Sequence, residues 1–457
     1  MANGHIVRRR SMAGPFVLII IGVVFLLGNF GYITWYSLSH IFAKYWPALI
    51  ILWGVIKLIE YFNDQRAGVP TRGVGAGGYF LLFLLIICGL AATGVDKVNW
   101  NEVGRQMDMD GDFPAFFGNT YTYNQTLEQP LPPDASLKVV SDQGDVAVKN
   151  WDENKIKIVV TKKLSAGNEN EGKDIDQKTQ PNISTAGSAV TVNANTGGAG
   201  NRPVRSDLEI YVPRKMPVEV STRHGDVSVD GRKGNVKVNN SHGDFSASDV
   251  EGAIDADIRR GSVRVNNVQG DINVSGRIDD STVSNVTGSL HLTGDFFGQM
   301  NLSKITREVT FKSSRTDMEM AALSGDLSLE SGELRAKSLA GPVRLVTKSY
   351  DIRLDDYSGD LKLDNSNGSV ELQPAGKLGT MDVNNQKGDV HLTLPAQAAF
   401  ELNARAHRGD IESDFQNIHV TSENEDHTAT GAVGNNGPKL NIVNVYGNVE
   451  IRKSGQG

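Results

Sequence analysis

The sequence predicts a mainly β protein in which three transmembrane α-helices precede a single-stranded β-solenoid of about 18 residues per coil, with two strands per coil. Three observations predict this fold class. Glycines recur at a fixed spacing in the C-terminal half, apolar residues alternate with polar ones within each repeat, and three long apolar stretches lie near the N-terminus. At 457 residues the chain is long enough for several domains.

The three apolar stretches predict a membrane anchor. They cover residues 14–33, 45–62 and 77–95, each close to the roughly 20 residues that a helix needs to cross a bilayer. Arginines at 8–10 precede the first stretch, so the positive-inside rule predicts a cytoplasmic N-terminus. Three crossings then place the C-terminal domain outside the cytoplasm, in a multi-pass protein of the cell (inner or plasma) membrane. A cleavable signal peptide is the alternative for the first stretch, but no small-residue cleavage site follows it.

Glycine positions reveal a repeat of nine residues. Six glycines follow one another at this spacing and a seventh comes after eighteen: Gly225, Gly234, Gly243, Gly252, Gly261, Gly270 and Gly288. The third and fifth residues of each unit are apolar almost throughout, as in Val227 and Val229 or Leu361 and Leu363. Such alternation is typical of short strands that bury one face.

Every second unit also carries an apolar residue at its eighth position. These residues are Val250, Val268, Val286, Ile305, Leu323, Leu339 and Tyr357. The true period is therefore eighteen residues, with two strands and two unlike turns. One unit cannot bury its apolar face alone, so we expect the coils to stack about 4.8 Å apart. Long antiparallel hairpins with two kinds of turn would alternate in the same way and are the competing geometry.

Composition divides the chain into five predicted segments. They are a three-helix transmembrane anchor (1–96), a linker (97–130), a β-rich N-terminal cap (131–224), the β-solenoid repeats (225–399) and C-terminal closing strands (400–457). The cap contains a polar insert at 165–205, rich in Gly, Asn and Ser, which we expect to be a long loop or disordered.

Two pairs of sequence motifs carry resemblances to known families. Ser206-Asp-Leu-Glu-Ile-Tyr-Val-Pro and the later Gly409-Asp-Ile-Glu-Ser-Asp-Phe resemble the bacterial "putative adhesin" (auto-adhesin-like β-solenoid) family, over residues 131–452. Gly14-Pro-Phe-Val-Leu-Ile-Ile-Ile-Gly and Tyr45-Trp-Pro-Ala-Leu-Ile-Ile-Leu-Trp-Gly resemble the membrane domain of Lia-type cell-envelope stress regulators. These resemblances imply a bacterial envelope protein with a helical membrane part and a β-rich outer part, and they supply no defined activity.

Charge and cysteine content argue against several classes of function. The formal net charge is -7, so no general basic field exists for holding nucleic acid. Cys88 is the only cysteine in the sequence, which excludes a disulfide framework and a cysteine-based zinc cluster.

The repeat offers few residues for metal binding. Its Gly-Asp turns contain one aspartate each, too few oxygens for calcium, and we expect these carboxylates to accept hydrogen bonds from nearby backbone. His224 and His242 are one coil apart and are expected to stack. Arg260 takes the equivalent position in the next coil, so a four-ligand zinc site is not predicted.

Catalytic motifs are missing from the sequence. It contains no Gly-x-Ser-x-Gly elbow between a strand and a helix, no His-Glu-x-x-His, and no Walker or dinucleotide fingerprint. The turn carboxylates Asp226, Asp244 and Asp271 do not all fall on one corner of the coil. We therefore predict no enzymatic activity, no catalytic, cofactor-binding or metal site residues, and no cofactor.

Two functions fit these predictions. The first is a membrane-anchored, extracytoplasmic, non-catalytic binding, adhesion or scaffold protein of a bacterial envelope. Its expected partners are the lipid bilayer, a cell-wall polymer, another envelope protein or a sensor kinase, and not nucleic acid. The alternative is a regulatory subunit of envelope-stress sensing that acts on a membrane histidine kinase.

Overall fold

The computed structural model describes residues 35–66, 82–83, 85–90, 119–200 and 202–455, and most of them are in β-strands. The chain forms two compact units. Unit 1 comprises the described residues up to Tyr123 together with Lys162–Thr179 and 197–205. Unit 2 comprises Asn124–Thr161, Gln180–Thr196 and the described residues from Ser206 onward.

The prediction of three transmembrane helices is wrong for the part of the chain that the structure describes. No helix there is both long enough and apolar enough to cross a bilayer. Helix α1 (Trp35–Arg66) contains the second apolar stretch, but its uninterrupted apolar run from Tyr45 to Ile56 lies between two lysines and is shorter than about 20 residues. The first stretch, 14–33, lies outside the described residues, and 82–83 and 85–90 of the third stretch are helical.

Unlike the expected loop, the polar insert is folded along 165–200 and 202–205. It contains helix α2 (Glu169–Lys178), whose N-cap Asn168 accepts a hydrogen bond from the backbone N–H of Glu171 at 2.9 Å. Glu171 in turn accepts from the N–H of Gly167 at 2.8 Å. Ile175, the one apolar residue of α2, packs with Leu164 and other side chains of unit 1. The missed signal was the cap, an Asn followed three residues later by Glu.

Strands make up most of the rest of the described chain, which also contains a short 3-10 helix (Thr196–Ala199). The N-terminal strands are β1 (Asn119–Pro130), β2 (Ser136–Gln143), β3 (Val146–Asn150), β4 (Lys155–Ala166), β5 (Asn182–Ala186), β6 (Ala189–Asn193) and β7 (Val204–Val212). They are followed by β8 (Val218–His224), β9 (Val227–Asp230), β10 (Val236–Asn240), β11 (Phe245–Glu251), β12 (Ile254–Gln269), β13 (Ile272–Val286), β14 (Leu290–Phe296), β15 (Met300–Ile305) and β16 (Val309–Lys312).

The C-terminal strands continue the same succession. They are β17 (Thr316–Glu330), β18 (Glu333–Lys337), β19 (Leu339–Thr347), β20 (Asp351–Asn365), β21 (Val370–Lys387), β22 (Val390–Pro395), β23 (Phe400–His407), β24 (Ile411–Ser413), β25 (Ile418–Glu423), β26 (Asp426–Val433), β27 (Lys439–Tyr446) and β28 (Val449–Ser454).

Unit 2 is built from two sheet faces that enclose one apolar core. Face A has the spatial order β5, β6, β2, β8, β10, 254–258, 272–276, β14, β16, 316–320, β19, 358–365, 381–387, β27, β23, β26, β25. Face B has the order 208–212, β3, β9, β11, 263–268, 281–286, β15, 327–330, β18, 351–355, 370–373, β22, β28, β24.

Parallel pairing dominates both faces. Val227 lies beside Phe245, and Phe245 beside Val263, each eighteen residues further along the chain. Residues at alternate positions of these strands are buried, so each strand contributes one side to the core and the other to solvent.

The winding reverses at β17 alone among the stacked coils 218–395. Strand β17 runs antiparallel to β15 and β16 on one side and to β18 and β19 on the other, so the first direction is restored after it. Beyond it, β18 and β19 again pair in parallel with β20. The two geometries that the sequence left open are therefore both present. A step of seven residues between Gly325 and Gly332 in the repeat coincides with the β17–β18 hairpin.

One corner of the coil depends on a left-handed backbone residue. The residue before the buried apolar corner position has φ between 51° and 57° at Asp249, Asn267, Asn285, Lys304, Ser338 and Asp356. Asn and Asp adopt this conformation more readily than other side chains that carry a Cβ. It turns the strand so that the next residue, such as Val268, points into the core and is fully buried.

The chain does not add its coils in order at either end. Strands β2 and β3 lie between β6/β7 on one side and β8/β9 on the other. Strands β27 and β28 lie between β21/β22 and β23/β24. The earliest and the latest described coils therefore each have a coil on both sides.

Arg232 is buried in the turn after β9. Its guanidinium donates to the backbone oxygens of Val212 at 3.2 Å, of Met216 at 3.0 Å and of Pro213. Burial, and then the nearby Arg214, lowers the pKa of Arg232 to about 10, so it stays charged at neutral pH. These carbonyls take the place of a carboxylate partner and fix the β7–β8 connection.

Substitution of Gly243 tests whether the close approach of neighbouring turns requires glycine. A Cβ at this position would lie 2.2 Å from the carbonyl oxygen of Gly225 in the neighbouring coil, and the φ of Gly243 is 131°. We expect Gly243→Ala to lower the free energy of unfolding by about 2–6 kcal/mol, measured by urea unfolding of the full chain.

Gly332→Ala is the matched control, because Gly332 also has a positive φ, 88°, but a Cβ added there would have no atom within 4 Å. We expect Gly332→Ala to lower the free energy of unfolding by only about 1–2 kcal/mol. Equal effects of the two substitutions would show that backbone strain, and not the approach of the coils, selects glycine.

Tyr357 tests the cost of a buried hydroxyl. The residue is 1% exposed, burial raises the pKa of its phenol, and in the described part of the chain the hydroxyl has no hydrogen-bond partner. We expect Tyr357→Phe to leave the free energy of unfolding unchanged or to raise it by about 1–2 kcal/mol, whereas Tyr357→Ala lowers it by about 3–5 kcal/mol. Thermal unfolding of both variants would check this, and a large loss in Tyr357→Phe would contradict it.

Candidate functional site

The Gly-Asp turns form a ladder that satisfies the backbone. The N–H of Asp226 donates to Oδ1 of Asp145 at 2.8 Å, and the N–H of Asp244 donates to Oδ1 of Asp226 at 2.7 Å. Ser262 continues the row with a 2.8 Å bond to Asp244. These carboxylates are thus engaged in holding one coil on the next.

His224 and His242 stack beside this ladder. Their ring centroids are 4.8 Å apart and their planes differ by 6°. Asp271 lies at the other turn, where its Oδ1 accepts from the backbone N–H of Ser289 at 2.8 Å. Within the described residues, no three His, Cys, Asp or Glu side chains come together in an arrangement that could hold a metal ion.

A charged groove lies on the outer side of face B, where β17, β18, β20 and β21 are neighbours. Its volume is about 720 Å³. The lining consists mainly of charged and hydroxyl side chains: Asp326, Ser328, Glu333, Arg335, Ala336, Lys337, Asp351, Ile352, Arg353, Asp355, Ser369 and Glu371. This set is called the face B groove below.

Like charges lie side by side in the face B groove. Arg335 is the register partner of Arg353, and Glu333 is the register partner of Asp351. Opposite charges follow one another along each strand, and Arg353 also pairs with Glu371 on the neighbouring strand. The groove therefore carries an acidic row next to a basic row.

Ion pairs orient the two arginines. Arg335 Nε lies 2.5 Å from Glu333, and this hydrogen bond raises the pKa of the Arg335 guanidinium. Arg353 Nε lies 2.9 Å from Asp355 and its Nη1 lies 2.9 Å from Glu371. The bond to Asp355 is the main cause that raises the pKa of Arg353. Both guanidinium groups are charged and remain half exposed or more.

Sequence reasoning did not find the face B groove. Its rows exist only because β18 and β20 pair in parallel at eighteen residues, which places Glu333-x-Arg335 beside Asp351-x-Arg353. The available signal was this repeated acid-x-Arg pattern at the coil spacing.

The coil region of the chain matches a known protein family. Residues 135–452 match the family described as Toastrack DUF4097. The chain belongs to the Toastrack DUF4097 family. The Toastrack match covers the two sheet faces and confirms the adhesin-type resemblance seen in the sequence.

The N-terminal segment matches a second family. Residues 12–58 match the LiaI-LiaF-like transmembrane region, which confirms the resemblance to Lia-type regulators. Among curated proteins, none matches this Toastrack chain.

Two solved structures are similar to the Toastrack chain. One is a "putative cell adhesion protein" from Clostridium sporogenes ATCC 15579, at 11% identity and a TM-score of 0.17, covering 73% of this chain and 100% of that chain. The other is a "Putative lipid binding protein" from Parabacteroides distasonis ATCC 8503, at 8% identity and a TM-score of 0.17, covering 73% of this chain and 97% of that chain.

Asp360 tests the contribution of the turn carboxylates in acid. Its Oδ1 accepts from the hydroxyl of Thr380 at 2.7 Å and from the backbone N–H of Thr380 at 2.8 Å, and these bonds lower its pKa below 3.8. A lowered folded pKa means that the stabilisation is present above 3.8 and is lost as the pH falls through the folded value.

We expect Asp360→Asn to be less stable than the native chain at about pH 7 and to approach it at about pH 2.5, in urea unfolding at both values. Asn235→Asp is the matched control, because the side-chain oxygen of Asn235 accepts from Ala253 N at 3.1 Å in the same kind of turn. That control should gain stability at neutral pH. A deficit of Asp360→Asn that is equal at both pH values would contradict the prediction.

Proposed function

We propose that this Toastrack protein is an envelope-associated binding protein that acts without catalysis. The observation that carries the proposal is the face B groove, an open charged surface set in a continuous sheet. In this groove the acid-x-Arg pattern of β18 is repeated on β20, at the strand spacing of about 4.8 Å. Stacked repeats of this kind offer extended surfaces that suit extended partners.

Membrane association is the second part of the proposal. The match of residues 12–58 to the LiaI-LiaF-like transmembrane region supports it. In this proposal the N-terminal segment keeps the chain at the membrane, and unit 2 presents its outer faces to polar envelope material.

A polar envelope polymer, such as a cell-wall polymer, is the partner that we propose. The groove lining offers guanidinium donors, carboxylate acceptors and the hydroxyls of Ser328 and Ser369. Sugar and peptide groups of such a polymer can form hydrogen bonds with all three kinds of side chain.

Co-sedimentation tests this function. Purified full chain should sediment with insoluble cell-wall fragments, and added salt should release it because exposed ion pairs are screened. The fragments should release no soluble sugar or peptide during the incubation. A chain that stays in the supernatant at low salt would contradict binding, and release of soluble products would contradict a non-catalytic role.

A regulatory role is the second candidate, and the LiaI-LiaF-like match favours it. In this case the N-terminal segment contacts a membrane histidine kinase and unit 2 senses damage to the envelope. A kinase that co-purifies with the full chain, and not with a chain lacking residues 12–58, would support regulation over simple binding.

A further inference from the structure

We propose that the face B groove is a binding site for a zwitterionic group, in which the Arg335–Arg353 row takes the anionic part and the Glu333–Asp351 row takes the ammonium part. The inference rests on the proposed binding function and names the chemistry of the ligand. A phosphate or carboxylate with an amine a few atoms away is the class of group meant.

The basic row has unused donors. Arg335 uses Nε for Glu333, and Arg353 uses Nε and Nη1 for Asp355 and Glu371. In the described part of the chain, the structure gives no partner to either Nη of Arg335 or to Nη2 of Arg353. Neighbouring strands are about 4.8 Å apart, so both guanidinium groups can reach one phosphate or carboxylate.

The acidic row has unused acceptors. Asp351 Oδ1 accepts from the N–H of Ser369 at 2.7 Å and from its hydroxyl at 3.0 Å, which leaves Oδ2 open to the groove. Glu333 uses Oε1 for Arg335 and keeps Oε2. Two residues along a strand span about 6.6 Å, so the ammonium of a ligand held by the arginines falls beside these carboxylates.

The charge of the groove disfavours a simple anion. Five carboxylates line it against three cationic side chains, so an anion alone meets net repulsion. A simple cation gains nothing from the two arginines that face the same cavity. A zwitterion uses both rows.

The arrangement of charges also argues against an ordinary solvated face. Like charges directly opposite each other on neighbouring strands are destabilising. Elsewhere in the groove Arg353 lies opposite Glu371, and on face A Lys138 lies opposite Glu219, with 2.9 Å and 3.4 Å between the charged atoms. The Arg335–Arg353 and Glu333–Asp351 pairs depart from this arrangement, and a ligand with both charges would compensate them.

Titration calorimetry on the full chain tests the assignment, with O-phosphoethanolamine as the probe and inorganic phosphate and ethanolamine as its two halves. We expect the zwitterion to bind about tenfold more tightly than either half. Arg335→Gln and Arg353→Gln should each weaken binding of the zwitterion about tenfold. Glu333→Gln should weaken binding of the zwitterion, whereas inorganic phosphate should bind to this variant as tightly as to the native chain or more tightly.

Arg264→Gln is the matched control. Arg264 is also on the outer side of face B, is 60% exposed and pairs with Asp244 at 2.8 Å, but it lies outside the groove. This variant should bind the zwitterion as the native chain does, and melting temperatures should show that all variants are folded. Equal binding of phosphate and zwitterion, equal losses in Arg264→Gln and Arg335→Gln, or no binding of the zwitterion would overturn the assignment.

Two further arms separate this inference from the function on which it rests. If the chain sediments with wall fragments but does not bind the probe, the groove assignment fails and the proposed function stands. If it binds the probe but not the fragments, the reverse holds. Vesicles of phosphatidylethanolamine and of phosphatidylglycerol then show whether a lipid headgroup can supply the zwitterion. If it can, the native chain should bind the phosphatidylethanolamine vesicles and not the phosphatidylglycerol vesicles, and Arg335→Gln and Arg353→Gln should lose this binding.

Discussion

Each coil of unit 2 finds its hydrogen-bonding partners in the coils on either side of it, and this mutual dependence explains most of the sequence pattern. Turns of adjacent coils approach so closely that glycine is required at Gly243. The next residue, Asp244, donates its N–H to Asp226 of the preceding coil, and its side chain accepts from the N–H of Ser262 in the following coil. At the other corner a left-handed residue such as Asn267 lets the following valine enter the core. No coil would keep this conformation alone.

Local sequence patterns predicted the strands, but they did not predict which strands pair or in which direction. Val227 and Val229 are buried as their alternation indicates, because burial on one face depends only on neighbours in the chain. The same alternation fits a parallel and an antiparallel neighbour, so the reversal at β17 left only a shortened step near Gly332. Helix α2 has one apolar residue, Ile175, and therefore no periodicity. In α1, Lys57 lies inside the predicted span 45–62 and ends its uninterrupted apolar run at Ile56.

The face B groove could not be predicted from the sequence because its side chains come together only in the folded chain. Its arginines are eighteen residues apart and become neighbours only through parallel pairing. It lies just beyond the strand where the winding reverses, so it joins side chains from an antiparallel strand, such as Asp326, to those of parallel strands, such as Glu371. Both arginines occupy strand positions outside the Gly-Asp turns that dominate the repeat.

The out-of-order coils at the two ends have a mechanical consequence. A pull on the chain beyond β28 acts on a coil that has a neighbouring coil on both sides. Such a load must break several ladder bonds together in shear, whereas an outermost coil would peel away one bond at a time. A protein loaded through its C-terminal end would for this reason resist extension at β28 instead of fraying there.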